Sequence, residues 1–238
     1  MTHHSTSHAS LPQPDVSVEE VSTGLRVLVY RAFISEPTPF LQYCRTLDLA
    51  QKSIKLFGRD VLEPRATAYF SSLPYQYSRR LLPPCPIPDK LQALSEQLGS
   101  LLSVAFNSVL VNHYRSGEEY IGWHADDEKE MGPSVNDRVI ATVSLGATRR
   151  FLLRPKKGVS SDLRSRQLKV VITAPVEIAL HHGDLLVMRG ATQTNWKHSV
   201  PKNSRKKALK DGFQDRISLT YRVCLPRRSS TPKAKRRA

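Results

Sequence analysis

The sequence is poor in cysteine, in long apolar runs and, over its C-terminal part, in acidic residues. Its 238 residues include only three cysteines, an odd and widely spaced set that fits a reducing compartment better than a disulfide framework. No apolar run approaches the roughly 20 residues of a membrane helix, so no membrane partner is predicted. The N-terminus lacks the basic and apolar segments of a secretory signal, and residues 1–23 are predicted to be a disordered leader.

Positive charge is concentrated in the C-terminal part of a chain whose formal net charge is +15. Residues 1–148 carry 13 basic and 16 acidic residues, whereas residues 149–238 carry 23 basic and 5 acidic residues. This asymmetry predicts an anionic partner, with nucleic acid as the leading candidate. Part of the excess lies in residues 226–238, which are predicted to form a flexible basic tail, so a solubilising role for some of the charge stays open.

Hydrophobic periodicity predicts helices followed by an antiparallel β core. Alternation predicts a strand over 24–34, Ser35 is a candidate cap for a helix over 37–49, and Asp89 opens a second helix. Residues 51–88 are interrupted by prolines and are predicted as loops with short extended pieces. The later segments are short, β-branched and bounded by turns, as in a sandwich or jelly roll. The predicted fold class is α+β, with N-terminal helices packed on a double-stranded β-helix (jelly-roll) core.

The stretch YIGWHADDE contains a His-x-Asp pair, His124 and Asp126. In a strand these two side chains share a face and can approach one ion. A third ligand could come from His198, which follows a later predicted strand. Two histidines and one carboxylate leave coordination positions open, which suits non-haem Fe(II) with a bidentate co-substrate and O2. The alternative is a solvated polar turn, because most isolated His-x-Asp pairs are surface groups.

Two arginines lie on the last predicted strand, DRISLTYR. Arg216 and Arg222 are six residues apart, so both share one strand face, with Ser218 between them. Buried guanidinium groups are costly without anionic partners, and a small dicarboxylate would satisfy them through bidentate pairing. The alternative is a structural role, in which each arginine pairs with an internal Asp or Glu.

Four segments together resemble the AlkB-type Fe(II)/2-oxoglutarate-dependent dioxygenases, most closely the eukaryotic branch that repairs alkylated nucleic acid. These segments are VNHYRSGEEYIGWHADDE, ATVSLGATRRFLLR, HHGDLLVMRGATQTNWKHSVPK and RISLTYR. The resemblance extends from about residue 25 to residue 225. It implies a dioxygenase domain over 24–225 that includes a nucleotide-recognition lid over about 51–88.

The resemblance implies three sets of site residues. The Fe(II) ligands would be His124, Asp126 and His198. The residues that bind 2-oxoglutarate would be Asn112, Tyr114, Arg216, Ser218 and Arg222, of which Arg216 takes the distal carboxylate. The residues near the nucleic-acid substrate would be Phe57, Tyr75, Tyr77, Asp127 and Glu128. Ser218 stands where many members of the family have Asn, so one amide contact to the co-substrate is lost.

The implied reaction is oxidative demethylation of N-alkylated bases, such as 1-methyladenine and 3-methylcytosine, in DNA and also in RNA. 2-Oxoglutarate and O2 are consumed, and the methyl group is lost as formaldehyde. The base must be flipped or already single-stranded, and its positive charge would favour the acidic loop around Asp126 to Glu128. The alternatives are an RNA demethylase and a non-catalytic nucleic-acid-binding protein on the same fold. The protein is predicted to be a monomer in the nucleus and also in the cytoplasm.

Overall fold

The computed structural model describes residues 12–56, 59–77, 80–128, 132, 138–159, 175–203 and 212–226. The first elements in chain order are β1 (Val16–Glu20), β2 (Leu25–Tyr30), α1 (Pro37–Arg45), β3 (Ser53–Leu56), β4 (Arg59–Leu62), β5 (Ala66–Ser71), β6 (Tyr75–Tyr77), β7 (Arg80–Leu82) and α2 (Asp89–Leu102). The later elements are β8 (Ser108–Tyr114), β9 (Ile121–His124), β10 (Ile140–Gly146), β11 (Arg149–Pro155), β12 (Val176–Leu180), β13 (Leu185–Gly190), α3 (Thr192–Asn195), β14 (Trp196–Val200) and β15 (Arg216–Arg222).

Two antiparallel sheets form the core. The major sheet has seven strands in the order β1-β2-β13-β10-β15-β8-β5, and the minor sheet has four in the order β12-β11-β14-β9. One hydrophobic cluster takes side chains from both sheets, including Val27 and Ile140 from the major sheet and Phe151 and Leu153 from the minor sheet. The sheets therefore pack against each other as a sandwich. The prediction of an antiparallel β core of the jelly-roll type is confirmed.

Helical residues share a second cluster with the opposite face of the major sheet. Leu91, Leu94, Leu98 and Leu102 recur at spacings of three and four residues along α2, and all four are buried. Their cluster also contains the odd-numbered apolar residues of β15, and the Tyr221 hydroxyl donates to the Leu91 carbonyl oxygen over 3.0 Å. β15 is consequently buried on both faces, which leaves its even-numbered side chains pointing into the sandwich.

The N-terminal boundaries differ from those expected. Val16–Glu20, inside the predicted leader, pairs with β2 as the edge strand of the major sheet. Val16 and Val18 alternate with polar residues and pack against the core, but this short pattern is surrounded by other polar residues and did not predict a strand. Ser35 does not cap α1, because the N-cap is Glu36, which makes no side-chain capping bond. Residues 1–11 of the predicted leader and 227–238 of the predicted tail lie outside the described residues.

The predicted lid range also contains part of the core. Ala66–Ser71 is a fully buried strand that pairs with β8 at the edge of the major sheet. The prolines on either side of this segment favoured a loop assignment, but they lie outside the strand. The short hairpins β3–β4 and β6–β7 form separate two-stranded sheets, one before and one after β5 in the sequence. None of the helices in the described residues is long and apolar enough to cross a membrane.

Candidate active site

A row of polar side chains crosses the major sheet on the face that meets the minor sheet. The strand register aligns Thr67, Asn112, Ser218 and Ser144 on β5, β8, β15 and β10. All four are buried. Buried polar groups are costly unless they find partners, so a continuous row of them marks a place where the sandwich is not filled by apolar side chains. A cavity of about 610 Å³ opens at this place, here called the central cavity.

A β-bulge aims the first predicted metal ligand into the central cavity. His124 on β9 lies opposite His198 on β14, and their ring centroids are 4.2 Å apart. The register shifts beside this pair, so that Ile121 lies opposite Val200 and three steps along β9 match two along β14. Residues three apart in a regular strand point to opposite faces. The bulge allows Ile121 to pack in the core while His124 still faces the cavity.

Asp126 completes a group of three ligands just beyond the end of β9. The candidate ligand atoms of His124, Asp126 and His198 all lie within 4.8 Å of one another. The backbone N–H of Asp126 donates to Gln193 Oε1 over 2.9 Å, which fixes the chain at this point. His124 Nδ1 donates to the Gly122 carbonyl oxygen over 2.8 Å. Because Nδ1 carries the proton, Nε2 keeps the lone pair that a metal requires.

The charge states of the three side chains suit a metal ion. Burial, the largest influence, would raise the pKa of Asp126, but Arg222, His198 and His124 together outweigh burial, and the pKa is lowered. Arg222 Nη2 lies 2.6 Å from Asp126 Oδ1, and both side chains are almost fully buried. Burial and the neighbouring His124 lower the pKa of His198 to about 3, and burial lowers the pKa of His124. One carboxylate and two neutral imidazoles are the forms that bind a divalent metal.

Arg216 has donors without partners inside the central cavity. Its side chain is 1% exposed, and Nη2 donates to Ser144 Oγ over 2.8 Å. Nε and Nη1 are buried without a hydrogen-bond partner, and burial lowers the pKa of the guanidinium. A carboxylate would accept hydrogen bonds from this guanidinium and offset its burial. The donor set therefore fits the distal carboxylate of a dicarboxylic acid such as 2-oxoglutarate.

The two arginines of β15 differ in their partners. Arg222 holds the carboxylate of Asp126, which is the structural pairing that the sequence left open. Three other predicted co-substrate residues, Asn112, Tyr114 and Ser218, line the same cavity as Arg216. Asn112 Oδ1 accepts a hydrogen bond from Arg65 Nε over 2.7 Å. This bond orients the amide so that its N–H donors are left for other acceptors.

The structure places the predicted substrate residues in three different situations. Glu128 lines the central cavity. Asp127 does not, because its half-exposed carboxylate pairs with Lys156 Nζ over 2.8 Å. Phe57 and the side chains of Tyr75 and Tyr77 lie outside the described residues.

Sequence reasoning missed several buried polar residues around the site. Glu63 and Arg65 line the cavity, and Arg138 Nη1 donates to the carbonyl oxygen of Asp126 over 3.2 Å. Gln193 and Arg149, both buried, hold the backbone around the ligand-bearing loop. The signal available for Glu63 and Arg65 was a pair of opposite charges beside the apolar segment ATAYF. The contacts of the other residues join segments far apart in sequence and leave no local pattern.

The chain is similar in sequence to known dioxygenases over most of its length. Residues 41–222 match the 2OG-Fe(II) oxygenase superfamily. The chain is 35% identical to the alpha-ketoglutarate-dependent dioxygenase alkB homolog 3 of Mus musculus, over 93% of this chain and 77% of that protein. It is 35% identical to the DNA oxidative demethylase ALKBH2 of Arabidopsis thaliana, over 81% of this chain and 66% of that protein. The solved structure of OsALKBH1 has a similar fold, with a TM-score of 0.52 at 19% identity over 83% of this chain and 97% of that chain.

Replacing any one metal ligand should abolish iron binding. We expect His124→Ala, Asp126→Ala and His198→Ala each to reduce bound Fe(II) from about one ion per chain to nearly none, because two remaining ligands hold the ion weakly. Metal content after gel filtration measures this directly. His181→Ala, in an exposed turn, is the matched control and should keep its iron. Full iron content in any of the three variants would remove that residue from the ligand set.

Replacing Arg216 by Met should weaken 2-oxoglutarate binding. A lost charge-assisted hydrogen bond is worth roughly 1.5–3 kcal/mol, so KM for 2-oxoglutarate should rise about ten- to a hundredfold. The rise in Tm that 2-oxoglutarate gives the wild-type protein should be lost as well. Arg150→Met, on the partly exposed face of β11, is the control. An unchanged KM together with an unchanged ligand-dependent rise in Tm would assign Arg216 to structure alone.

Proposed function

The chain belongs to the 2OG-Fe(II) oxygenase superfamily, and from this membership we propose that it removes alkyl groups oxidatively from the nitrogen atoms of nucleic-acid bases. It is a 2-oxoglutarate-dependent dioxygenase whose cofactor is Fe(II) and whose co-substrates are 2-oxoglutarate and O2. The observation that carries the proposal is the central cavity itself. It places the His-Asp-His triad and Arg216 in one space, in a chain related to a DNA oxidative demethylase.

When bound, Fe(II), 2-oxoglutarate and O2 supply a two-electron oxidation that yields succinate and CO2 and converts an N-methyl group to N-hydroxymethyl, which leaves as formaldehyde. The chain contributes orientation and charge. Arg216, whose Nε and Nη1 have no hydrogen-bond partner, would donate to the distal carboxylate of 2-oxoglutarate, and the Asn112 amide would donate to an oxygen of the same molecule. Arg222 helps to lower the pKa of Asp126 and holds its carboxylate in place. The Phe151 ring stacks against His198 with centroids 5.2 Å apart, which limits how far the imidazole can turn.

Two carboxylates of the central cavity support a cationic target. Among the described residues that line the cavity, Glu63, Asp126 and Glu128 are acidic, and Arg65, Arg216 and Arg222 are basic. Arg222 pairs with Asp126, and Arg65 lies between Glu63, at 3.5 Å, and Asn112, at 2.7 Å. Glu63 and Glu128 are thus carboxylates of this lining that do not belong to the metal triad. Adenine methylated at N1 and cytosine methylated at N3 carry a positive charge, which these two carboxylates would attract.

Three further features belong to the proposal. The helices α1 and α2 are inferred to pack as N-terminal layers on the major sheet, supported by the hydrophobic cluster that they share with it. The protein is inferred to act as a monomer, because three of the five exposed large hydrophobic residues in the described part line the central cavity. It is inferred to act in the nucleus and also in the cytoplasm, where its +15 charge meets nucleic acid.

Demethylation of defined oligonucleotides tests the proposal. Single-stranded and duplex DNA and RNA carrying 1-methyladenine or 3-methylcytosine should yield formaldehyde and the unmodified base when incubated with the protein, Fe(II), 2-oxoglutarate and O2. Formation of succinate should match the formaldehyde released. The Asp126→Ala variant is the inactive control. If succinate forms but none of the substrates is repaired, the proposal is contradicted, whereas the dioxygenase assignment still holds.

Glu63→Gln should reduce discrimination between cationic and neutral bases. The substitution keeps the size of the side chain and removes one buried charge, an interaction worth roughly 1–3 kcal/mol. The ratio of kcat/KM for 1-methyladenine over neutral 1-methylguanine should fall about tenfold, and KM for 2-oxoglutarate should stay constant. Glu177→Gln, half-exposed on β12, is the matched control. If kcat/KM falls equally for both bases, Glu63 has only a packing role.

A further inference from the structure

We propose that the rim of the central cavity beside β9 binds a second nucleotide, the one next to the target base on the same strand. The rim is formed by Tyr120, Gly122 and Trp123, all of which line the cavity, together with Lys202 and Arg154. Its ligand is a flat base with a phosphate attached, and the inference rests on the proposed function. It assigns binding to aromatic residues that precede His124 in the sequence, whereas the acidic loop follows His124.

Tyr120 and Lys202 form the first half of this rim. Tyr120 is 37% exposed although it lines the cavity, and Lys202 Nζ lies 5.5 Å from the centre of its ring. Lys202 also pairs with Glu118 at 3.4 Å, but both side chains are more than half exposed. Such exposed pairs contribute little free energy. A phosphate group can therefore replace Glu118 at the lysine while its base contacts the ring.

Trp123 and Arg154 form the second half of the rim. The Arg154 guanidinium carbon lies 4.2 Å from the centre of the Trp123 ring. Between the two aromatic residues, Gly122 is exposed, and a Cβ atom built on it would meet nothing within 4 Å. The bulge that aims His124 inward includes Gly122 and Trp123. At this bulge the backbone of Gly122 is therefore accessible. The aromatic residues on either side of it in the sequence, Tyr120 and Trp123, each have a cationic side chain nearby.

Buried hydrogen bonds hold the rim in place before any ligand binds. Arg149 is 2% exposed, and its Nη2 donates over 2.7 Å to the carbonyl oxygens of both Glu119 and Pro201. The Tyr120 N–H donates to the Pro64 carbonyl oxygen over 3.1 Å. Tyr120 and Lys202 each follow directly after one of the residues held by Arg149. A binding surface that is already ordered loses less conformational entropy on association.

The chemistry of the rim fits a nucleotide better than other anions. Base stacking on aromatic side chains beside phosphate-binding cations is how proteins bind single strands without reading their sequence. A carboxylate or free phosphate would use Lys202 and Arg154 but leave both rings in water. The exposed apolar residues Val61 and Leu62 line the same cavity and extend this apolar surface. The rim adjoins the metal site. The nucleotide that it binds is therefore the one joined through a phosphate to the nucleotide of the target base.

Binding of a labelled pentathymidylate to the full chain, measured by fluorescence anisotropy between 50 and 300 mM salt, tests the rim. Tyr120→Ala should weaken binding about tenfold at every salt concentration, because stacking on an aromatic ring is worth roughly 1–3 kcal/mol per base. Tyr120→Phe keeps the ring and should bind normally. Lys202→Ala should instead reduce the slope of log affinity against log salt by about 0.7, the value for one lost phosphate contact on a single strand.

Lys90→Ala is the matched control, because Lys90 also lies over a tyrosine ring, 4.7 Å from that of Tyr43, but does not line the cavity. It should change neither affinity nor slope appreciably. Tyr120→Ala and Lys202→Ala variants that behave like Lys90→Ala would overturn the inference.

A turnover measurement separates the rim from the target pocket. Tyr120→Ala should lower the ratio of kcat/KM for a trinucleotide with central 1-methyladenine over that for 1-methyladenosine monophosphate about tenfold, by the same stacking contribution. An unchanged ratio would place Tyr120 against the target base and overturn the inference. A wild-type protein that demethylates neither substrate would contradict the proposed function, whereas the binding measurements would still decide the rim.

Discussion

The ion pair between Asp126 and Arg222 is the interaction on which the site depends. Both side chains are 4% exposed, and their charged atoms are 2.6 Å apart. Burial by itself would raise the pKa of Asp126, and a protonated carboxyl is a poor metal ligand. Arg222 is the largest of the influences, with His198 and His124, that together reverse this effect, and it lies on the same strand face as Arg216. One strand of the major sheet therefore carries both the arginine that pairs with the metal-site carboxylate and the arginine whose unpartnered donors line the central cavity.

The two arginines of β15 differ in whether their charge is compensated within the chain. Arg222 has its carboxylate within the chain, so its burial is compensated in the free protein. Arg216 has two nitrogen atoms without partners, which costs free energy until an anion arrives. That cost makes the cavity selective, because a neutral molecule would not relieve it. The buried face and the fixed backbone of a central strand hold both arginines in place without help from flexible loops.

Strand periodicity predicted which side chains lie together, whereas the residues that reach the site through long-range contacts were missed. Alternation on β15 placed Arg216 and Arg222 together, and the pairing of β9 with β14 brought His198 to His124. Asp127 was predicted beside the substrate from its neighbours in the chain. It turns instead toward Lys156, because Asp126 and Asp127 follow the end of β9, where strand alternation no longer holds. Glu63 faces the cavity from a segment that its flanking proline made look like a loop.

Carboxylates inside the cavity of a strongly basic chain address a problem that any enzyme acting on nucleic acid must solve. A strongly basic protein attracts phosphates, and a phosphate entering the central cavity could pair with Arg216 in place of the co-substrate. Glu63 and Glu128 line that cavity and repel such an anion. In the proposed reaction, the cation of a methylated base is attracted by the same two carboxylates. In that proposed reaction, the basic residues would attract a strand whether or not it is damaged. The carboxylates of the cavity would then favour the methylated, cationic base, so binding and selection would depend on side chains of opposite sign.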